Sequence, residues 1–170
     1  MKIFKEFLWQ CIAKVISHPV VVMWLIDRAQ KTPYQHLPQY MDRWWVFNGY
    51  GSEETKYERK IKWLPSIRIH HILRADLDRN LHDHPWDART IILKGYYEEE
   101  RLMPDGTTRI FYRFEGNTAR LNYGEYHTIK DVSEGGVWTL FFTWKYKGSW
   151  GFLVDGVKIP WREYEARNAA

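Results

Sequence analysis

Two histidines, His82 and His84, stand two residues apart in Leu81-His82-Asp83-His84-Pro85-Trp86, and a third, His127, closes Gly124-Glu125-Tyr126-His127. On an extended strand, residues i and i+2 face the same side. The first two imidazoles can therefore point into one cavity, and a third from a neighbouring strand would complete one face of a metal's coordination shell. Neutral imidazole is the commonest protein ligand for zinc, iron, nickel and copper. Such a set can hold one divalent ion with open positions for water or substrate. Without a metal, the same side chains would bind a substrate or act as acid and base.

Other residues are candidates around this centre. His70 and His71 are adjacent, so one of the two can face the cavity, as a partner to a ligand or a proton carrier; a packed histidine is the alternative. Arg89, with Arg74 and Arg120, lies in or near a strand, and if turned inward would clamp a carboxylate or phosphate with two parallel bonds. On a solvated face it would do neither. Tyr126 could donate its phenol to a substrate, as could Tyr96 or Tyr112; packing is the alternative for each.

The elements that must position these residues follow a period of two from about residue 65. Ser66 to Leu73 alternates, with Ile67, Ile69 and His71 on one side and Arg68, His70 and Ile72 on the other. Further strands are expected over 90–97, 107–115, 118–123, 137–144 and 150–154, with turn chemistry at Pro104-Asp105-Gly106 and Asp155-Gly156. Glu98-Glu99-Glu100-Arg101 reads as a solvated edge that discourages further pairing. Short strands joined by turns, with no helix between them, indicate an antiparallel sandwich or barrel.

The first thirty residues differ. Ile3, Phe4, Phe7, Leu8, Cys11, Ile12, Val15 and Ile16 recur at helical spacing, and Lys2, Lys5, Glu6, Gln10 and Lys14 fill the other face. His18-Pro19 should end this helix. A second, more apolar helix is expected from Val20 to about Gln30, stopped by Thr32-Pro33. The apolar stripe is expected to be buried on the barrel or across a homodimer contact rather than in lipid, with the second helix against Trp44-Trp45-Val46-Phe47. This divides the chain into a helical extension, 1–45, and a β-barrel, 46–170.

Composition narrows the function. With 45% hydrophobic and 17% aromatic residues in 170, one domain with a full core is expected. A net charge of +4, with scattered basic residues and no recognition motif, argues against a nucleic-acid partner. The single Cys11 excludes an internal disulfide and a cysteine-built zinc site from this chain alone. The apolar run Val20 to Ile26 is too short to span a bilayer and lacks a cleavage site; a cytoplasmic address is expected.

The segment from His82 to Asp131 resembles the cupin superfamily, whose members are small double-sheet jelly rolls. In the first cupin motif, His82 and His84 fill the two histidine slots and Gly95 the closing glycine. In the second, Gly116, Gly124 and His127 fall on the family spacings. Asp76 replaces the opening glycine, Ala88 the glutamate, Asn122 the proline and Asp131 the final asparagine. In many cupins the glutamate is the fourth metal ligand. Its replacement implies a three-histidine site similar to that of cysteine dioxygenase and related thiol dioxygenases, with Ala88 leaving a gap unless a bulge re-aims Asp87.

The resemblance implies an all-β double-stranded β-helix with an N-terminal helical extension. It further implies a metal-dependent enzyme acting on a small polar or anionic molecule, an iron(II) dioxygenase among the candidates. Iron(II) is the favoured ion, with zinc, nickel and manganese as alternatives. Three neutral ligands leave the ion's positive charge in place, which favours an anionic chelating substrate. The other implied classes are a non-catalytic cupin that binds a small ligand and a metal-free cupin of the sugar-nucleotide epimerase type.

Overall fold

The computed structural model describes residues 2–32, 36–51 and 59–168. Two expectations fall outside it: Pro33 as a helix stop and the Lys2 side chain on the polar face of the first helix. The chain opens with α1 (Lys2–Ile16) and α2 (Pro19–Gln30), then β1 (Met41–Phe47) and β2 (Ser66–Ile72). It continues through β3 (Trp86–Lys94), β4 (Tyr96–Leu102), β5 (Thr108–Phe114), β6 (Thr118–Leu121), β7 (His127–Val132) and β8 (Val137–Tyr146). It closes with the β9 (Gly151–Val154) and β10 (Val157–Pro160) hairpin and a short α3 (Trp161–Asn168).

One sheet has the order β1-β2-β8-β3-β6, and facing it are the three strands β5-β4-β7 and the β9–β10 hairpin. Among the described residues, every strand pairing is antiparallel. His82, outside any strand, bridges His127 of β7 on one side and Phe152 of β9 on the other. It thereby joins the hairpin to the three strands. The result is the all-β double-sheet jelly roll with an N-terminal helical extension.

Three local expectations change. The strand expected over 90–97 is two strands, broken at Gly95, whose φ of 82° a side chain would resist. A Cβ there would fall 2.4 Å from Ser133 Oγ. Glu98 to Arg101 is no edge: it is the middle of β4, flanked by β5 and β7, and Glu99 is 1% exposed. The boundary drawn after residue 45 falls inside β1, which pairs with β2 along Met41 to Phe47. A period-two pattern marks strands but not the left-handed residue that divides them, nor which strand lies between two others.

Both helices pack on the outer face of the five-stranded sheet. Ala13, Val22, Leu25 and Ala29 meet Ile69, Ile91, Leu93, Leu140 and Phe142 in one core cluster. Trp9 sets its edge on Phe142 at 5.3 Å, and α2 lies against β1 as expected. The face that α1 buries differs from the expected stripe. Trp9, Ile12, Ala13 and Ile16 pack inward, while Ile3, Phe4, Phe7, Leu8 and Val15 are exposed. The cause is Arg89, 3% exposed on β3, whose guanidinium donates to both Glu6 oxygens at 2.7 and 2.8 Å. A buried cation needs a counter-charge, and Glu6 is the one acid on α1. The Glu6–Arg89 pair and the small Ala13 set the helix's rotation. Among the described residues, no single helix is long and apolar enough to cross a membrane.

Candidate metal centre

The segment carrying His82 and His84 is not a regular strand, yet its side chains alternate as on one. His82 and His127 exchange both backbone hydrogen bonds at 2.9 Å. Asp83 points the other way and is fully buried. Its Oδ1 accepts from the Gly151 amide at 2.8 Å, its Oδ2 from Lys158 Nζ at 2.6 Å, and its own amide donates to the Gly151 carbonyl at 3.1 Å. Asp83 thus clamps the loop to β9 and β10 while the flanking imidazoles turn inward. His127 opens β7, just after the Gly124 turn (φ 80°).

One ring nitrogen from each of His82, His84 and His127 lies within 4.8 Å of the other two. His84 Nε2 and His127 Nε2 are 3.0 Å apart. That separation fits two imidazoles set at about right angles on one ion with bonds of about 2.1 Å. Burial disfavours the imidazolium form. It pushes His82 down to about 4, with the His127 charge adding and Asp76 and Glu99 opposing. Burial also holds His84 well below its ordinary value, helped by His127, His82 and Arg68. Convergent imidazoles, with His82 and His84 disfavoured as cations by burial, are a donor set suited to a divalent ion.

Two carboxylates stand behind these rings. Glu99 Oε1 accepts from His127 Nδ1 at 2.9 Å, which leaves the Nε2 lone pair facing His84. Arg101 NH2 at 2.8 Å and Arg113 Nε at 3.1 Å complete the shell around Glu99. Burial alone would raise the Glu99 carboxyl. The His127 hydrogen bond and charge, with Arg101, overcome that and hold it below the usual carboxylate range. Asp76 Oδ2 lies 4.0 Å from His82 Nδ1. Asp76 accepts from the Ile129 amide at 2.8 Å, Thr128 Oγ1 at 3.2 Å and the Tyr40 hydroxyl. Asp76, which stands in a motif slot for glycine, therefore braces one side of the centre and Glu99 the other.

The three histidines open on a cavity of about 340 Å³ between the sheets. Arg68, 4% exposed, lines it together with Arg43, Arg74 and Arg101, with its guanidinium 5.1 Å from the Trp86 ring and 5.3 Å from the Phe141 ring. His70 also lines the cavity, its ring 4.9 Å from that of Phe141. Burial and then the Arg68 and Arg43 charges hold its pKa well down. His71 faces the opposite side, stacked on Trp138 at 4.1 Å with Nε2 donating to the Gly135 carbonyl at 2.8 Å.

Arg89 and Tyr126, the expected substrate contacts, do not line this cavity. Arg89 is on the helix side, and Tyr126 is half-buried outside. Arg120 and Tyr112 are exposed. Arg74 lines the cavity, bonded to the Gln39 and Ala75 carbonyls. Asp87 is held by Lys147 at 2.7 Å and the Tyr123 amide at 3.1 Å, away from the imidazoles. Ala88 is fully buried opposite Leu121 and offers no ligand. Sequence reasoning missed Glu99 and Arg68. The parity of Tyr97, Glu99 and Arg101 marked one side of β4, and Arg68 shared a side with His70 in the β2 alternation.

Two antiparallel sheets closed around convergent imidazoles are the architecture of the cupins, and the chain has the cupin fold. It is similar to oxalate decarboxylase of Bacillus subtilis, an enzyme with Mn(II) centres, at a TM-score of 0.53 and 16% identity over 82% of this chain and 33% of that one. A second oxalate decarboxylase structure matches at a TM-score of 0.51 and 17% identity over 71% and 29%. An oxalate oxidase matches at 0.51 and 12% identity over 84% and 72%. The chain spans about a third of the length of those decarboxylases. Likeness at these identities establishes the fold. No protein-family model and no curated protein matches the chain.

Proposed function

We propose that this protein is a metal-dependent cupin enzyme whose substrate is a small carboxylic acid. The observation that carries the proposal is the cluster of three convergent imidazoles, His82, His84 and His127, opening on a cavity between the sheets that a buried arginine also lines. The ion is iron(II) or manganese(II). Iron(II) follows from the likeness of a three-histidine set to thiol dioxygenase sites, and manganese(II) from the B. subtilis decarboxylase. When bound, the ion supplies Lewis acidity, open positions for a chelating acid, and a redox partner for dioxygen.

The chain's own residues do the rest. Arg68, caged by aromatic rings, attracts an anion into the cavity and orients one carboxylate. Glu99 fixes His127 with its proton on Nδ1, and Asp76 lies beside His82 Nδ1. Phe141, Phe152 and Trp150 give the cavity apolar walls, against which charge interactions are stronger than in bulk water. His70 Nε2 has no hydrogen-bond partner among the described residues and is positioned to contact a bound substrate.

The test is metal analysis of protein purified without a histidine tag or chelator, followed by oxygen uptake and product analysis with short carboxylic acids, oxalate included. One equivalent of iron or manganese per chain, and turnover that dialysis against chelator abolishes, is expected. Protein that takes up no divalent ion overturns the reading and leaves the metal-free class. Stoichiometric metal with tight acid binding but no turnover would make the protein a ligand-binding cupin.

A further inference from the structure

The two N-terminal helices present to solvent what their sequence pattern would normally hide. Phe4, Phe7 and Leu8 on α1 and Val20, Met23 and Trp24 on α2 are 49–71% exposed, and Ile3 and Val15 extend the same face. Their combined area is on the order of 1,000 Å², against the few hundred of a typical monomer's largest patch. The helices cannot roll to cover it. Their other face is fastened to the sheet by Ala13, Val22, Leu25 and Ala29 in the core cluster and by the Glu6–Arg89 ion pair. The apolar face is therefore a fixed platform.

The described charges on the two helices are predominantly basic. The two acids on α1 and α2 are both engaged, Glu6 with Arg89 and Asp27 with Lys31 at 2.6 Å. Lys5, Lys14 and Arg28 are exposed, and among the described residues none of them has an ion-pair partner. α1 has 15 residues and α2 has 12, with an 81° bend between them. Neither reaches the roughly 20 residues a membrane span requires. Exposed aromatic and aliphatic side chains on helices of net positive charge suit the boundary between headgroups and acyl chains. A second copy of the chain would bring two sets of like charges together.

We propose that the outward face of α1 and α2 docks the protein flat on an anionic lipid surface. Because these helices lie on the outer side of the five-stranded sheet, such docking leaves the cavity, which lies on the inner side, facing water.

The experiment is co-sedimentation of the full-length protein with vesicles of phosphatidylcholine alone, or of phosphatidylcholine with about one third phosphatidylglycerol. An environment-sensitive dye on Cys11, the chain's single cysteine, reports burial of the same face. Binding to the anionic vesicles, weakened by salt and reduced at least about tenfold by Phe7→Ser with Trp24→Ser or by Lys5→Glu with Lys14→Glu, is the expected result. These side chains are exposed, so circular dichroism and metal content should match the parent. Protein that stays in the supernatant with both vesicle types overturns the proposal. So does equal, salt-insensitive binding to both. A concentration-dependent dimer that Phe7→Ser with Trp24→Ser dissociates, with no vesicle binding, assigns the face to a second copy instead.

Discussion

His82 and His127 are 45 residues apart in sequence yet donate a backbone hydrogen bond to each other at 2.9 Å in both directions. Two of the three imidazoles are thus related by main-chain geometry, and a side-chain substitution leaves that relation in place. Replacing His82, His84 or His127 with alanine should therefore abolish metal uptake without unfolding the jelly roll. Metal content should fall from one equivalent per chain to below about a tenth. Elemental analysis with circular dichroism checks this, and a folded triple variant that still holds one equivalent would place the metal elsewhere.

Glu99→Gln should weaken metal binding by about 10–100-fold, because a neutral amide oxygen accepts from His127 Nδ1 more weakly than the carboxylate and makes the ring a poorer donor. The same change leaves Arg101 and Arg113 without their buried counter-charge, at a cost of about 3 kcal/mol in stability. Competition with a fluorescent chelator measures the first effect and urea denaturation of metal-free protein the second. Unchanged metal affinity would reduce Glu99 to a structural anchor for the two arginines.

Arg68→Met keeps a similar volume among the aromatic rings and removes the charge. Binding of oxalate or another short acid to the metal-loaded protein should weaken by about 10–100-fold, or about 1.4–2.7 kcal/mol. Calorimetry reads this directly. Metal content should not change.

The Glu6–Arg89 pair predicts an asymmetry. Glu6→Gln strands a buried guanidinium and should cost about 2 kcal/mol, whereas Arg89→Met leaves Glu6, which is half exposed, free to reach water and should cost about 1 kcal/mol or less. Neither variant should alter metal content or acid binding. A loss of acid binding in Arg89→Met would return that arginine to the substrate site.

Stability of the metal-free protein should fall on acidification. His82 titrates near 4 in the folded state and His84 is also lowered, so between the unfolded value of about 6.5 and pH 4 the unfolded chain binds more protons. Their contribution is complete above about pH 6.5 and is lost as the pH falls towards 4, a change of about 3 kcal/mol for His82. The Glu99 carboxyl, held low, adds a loss of the same sign at still lower pH. Urea midpoints between pH 7 and 4 measure the slope, and a flat profile contradicts the burial of neutral imidazoles.

The sheets and the three imidazoles were legible because both rest on local spacing. Alternation over Ser66 to Ile72 put Arg68 and His70 on one side, and the i, i+2 histidines kept their common direction even outside a strand. Glu99 was not legible, because three consecutive glutamates resemble a solvated edge. Only the pairing of β4 on both sides, with Arg101 and Arg113 supplied from β4 and β5, makes the middle one an interior charge. The rotation of α1 was hidden for a similar reason. Helical periodicity identifies an apolar stripe, but a distant arginine on β3 decides which stripe faces the sheet.

The β9–β10 hairpin contributes no imidazole, yet it holds the loop that does. Gly151 grips Asp83 through both its amide and its carbonyl, and Lys158 neutralises the same carboxylate. During synthesis, all three histidines leave the ribosome before this clasp exists. A nascent chain ending near residue 150 carries the complete ligand set, and can pair His82 with His127, but the loop between His82 and His84 is still unclasped at Asp83. Assembly of the centre is therefore completed only once residue 158 has emerged.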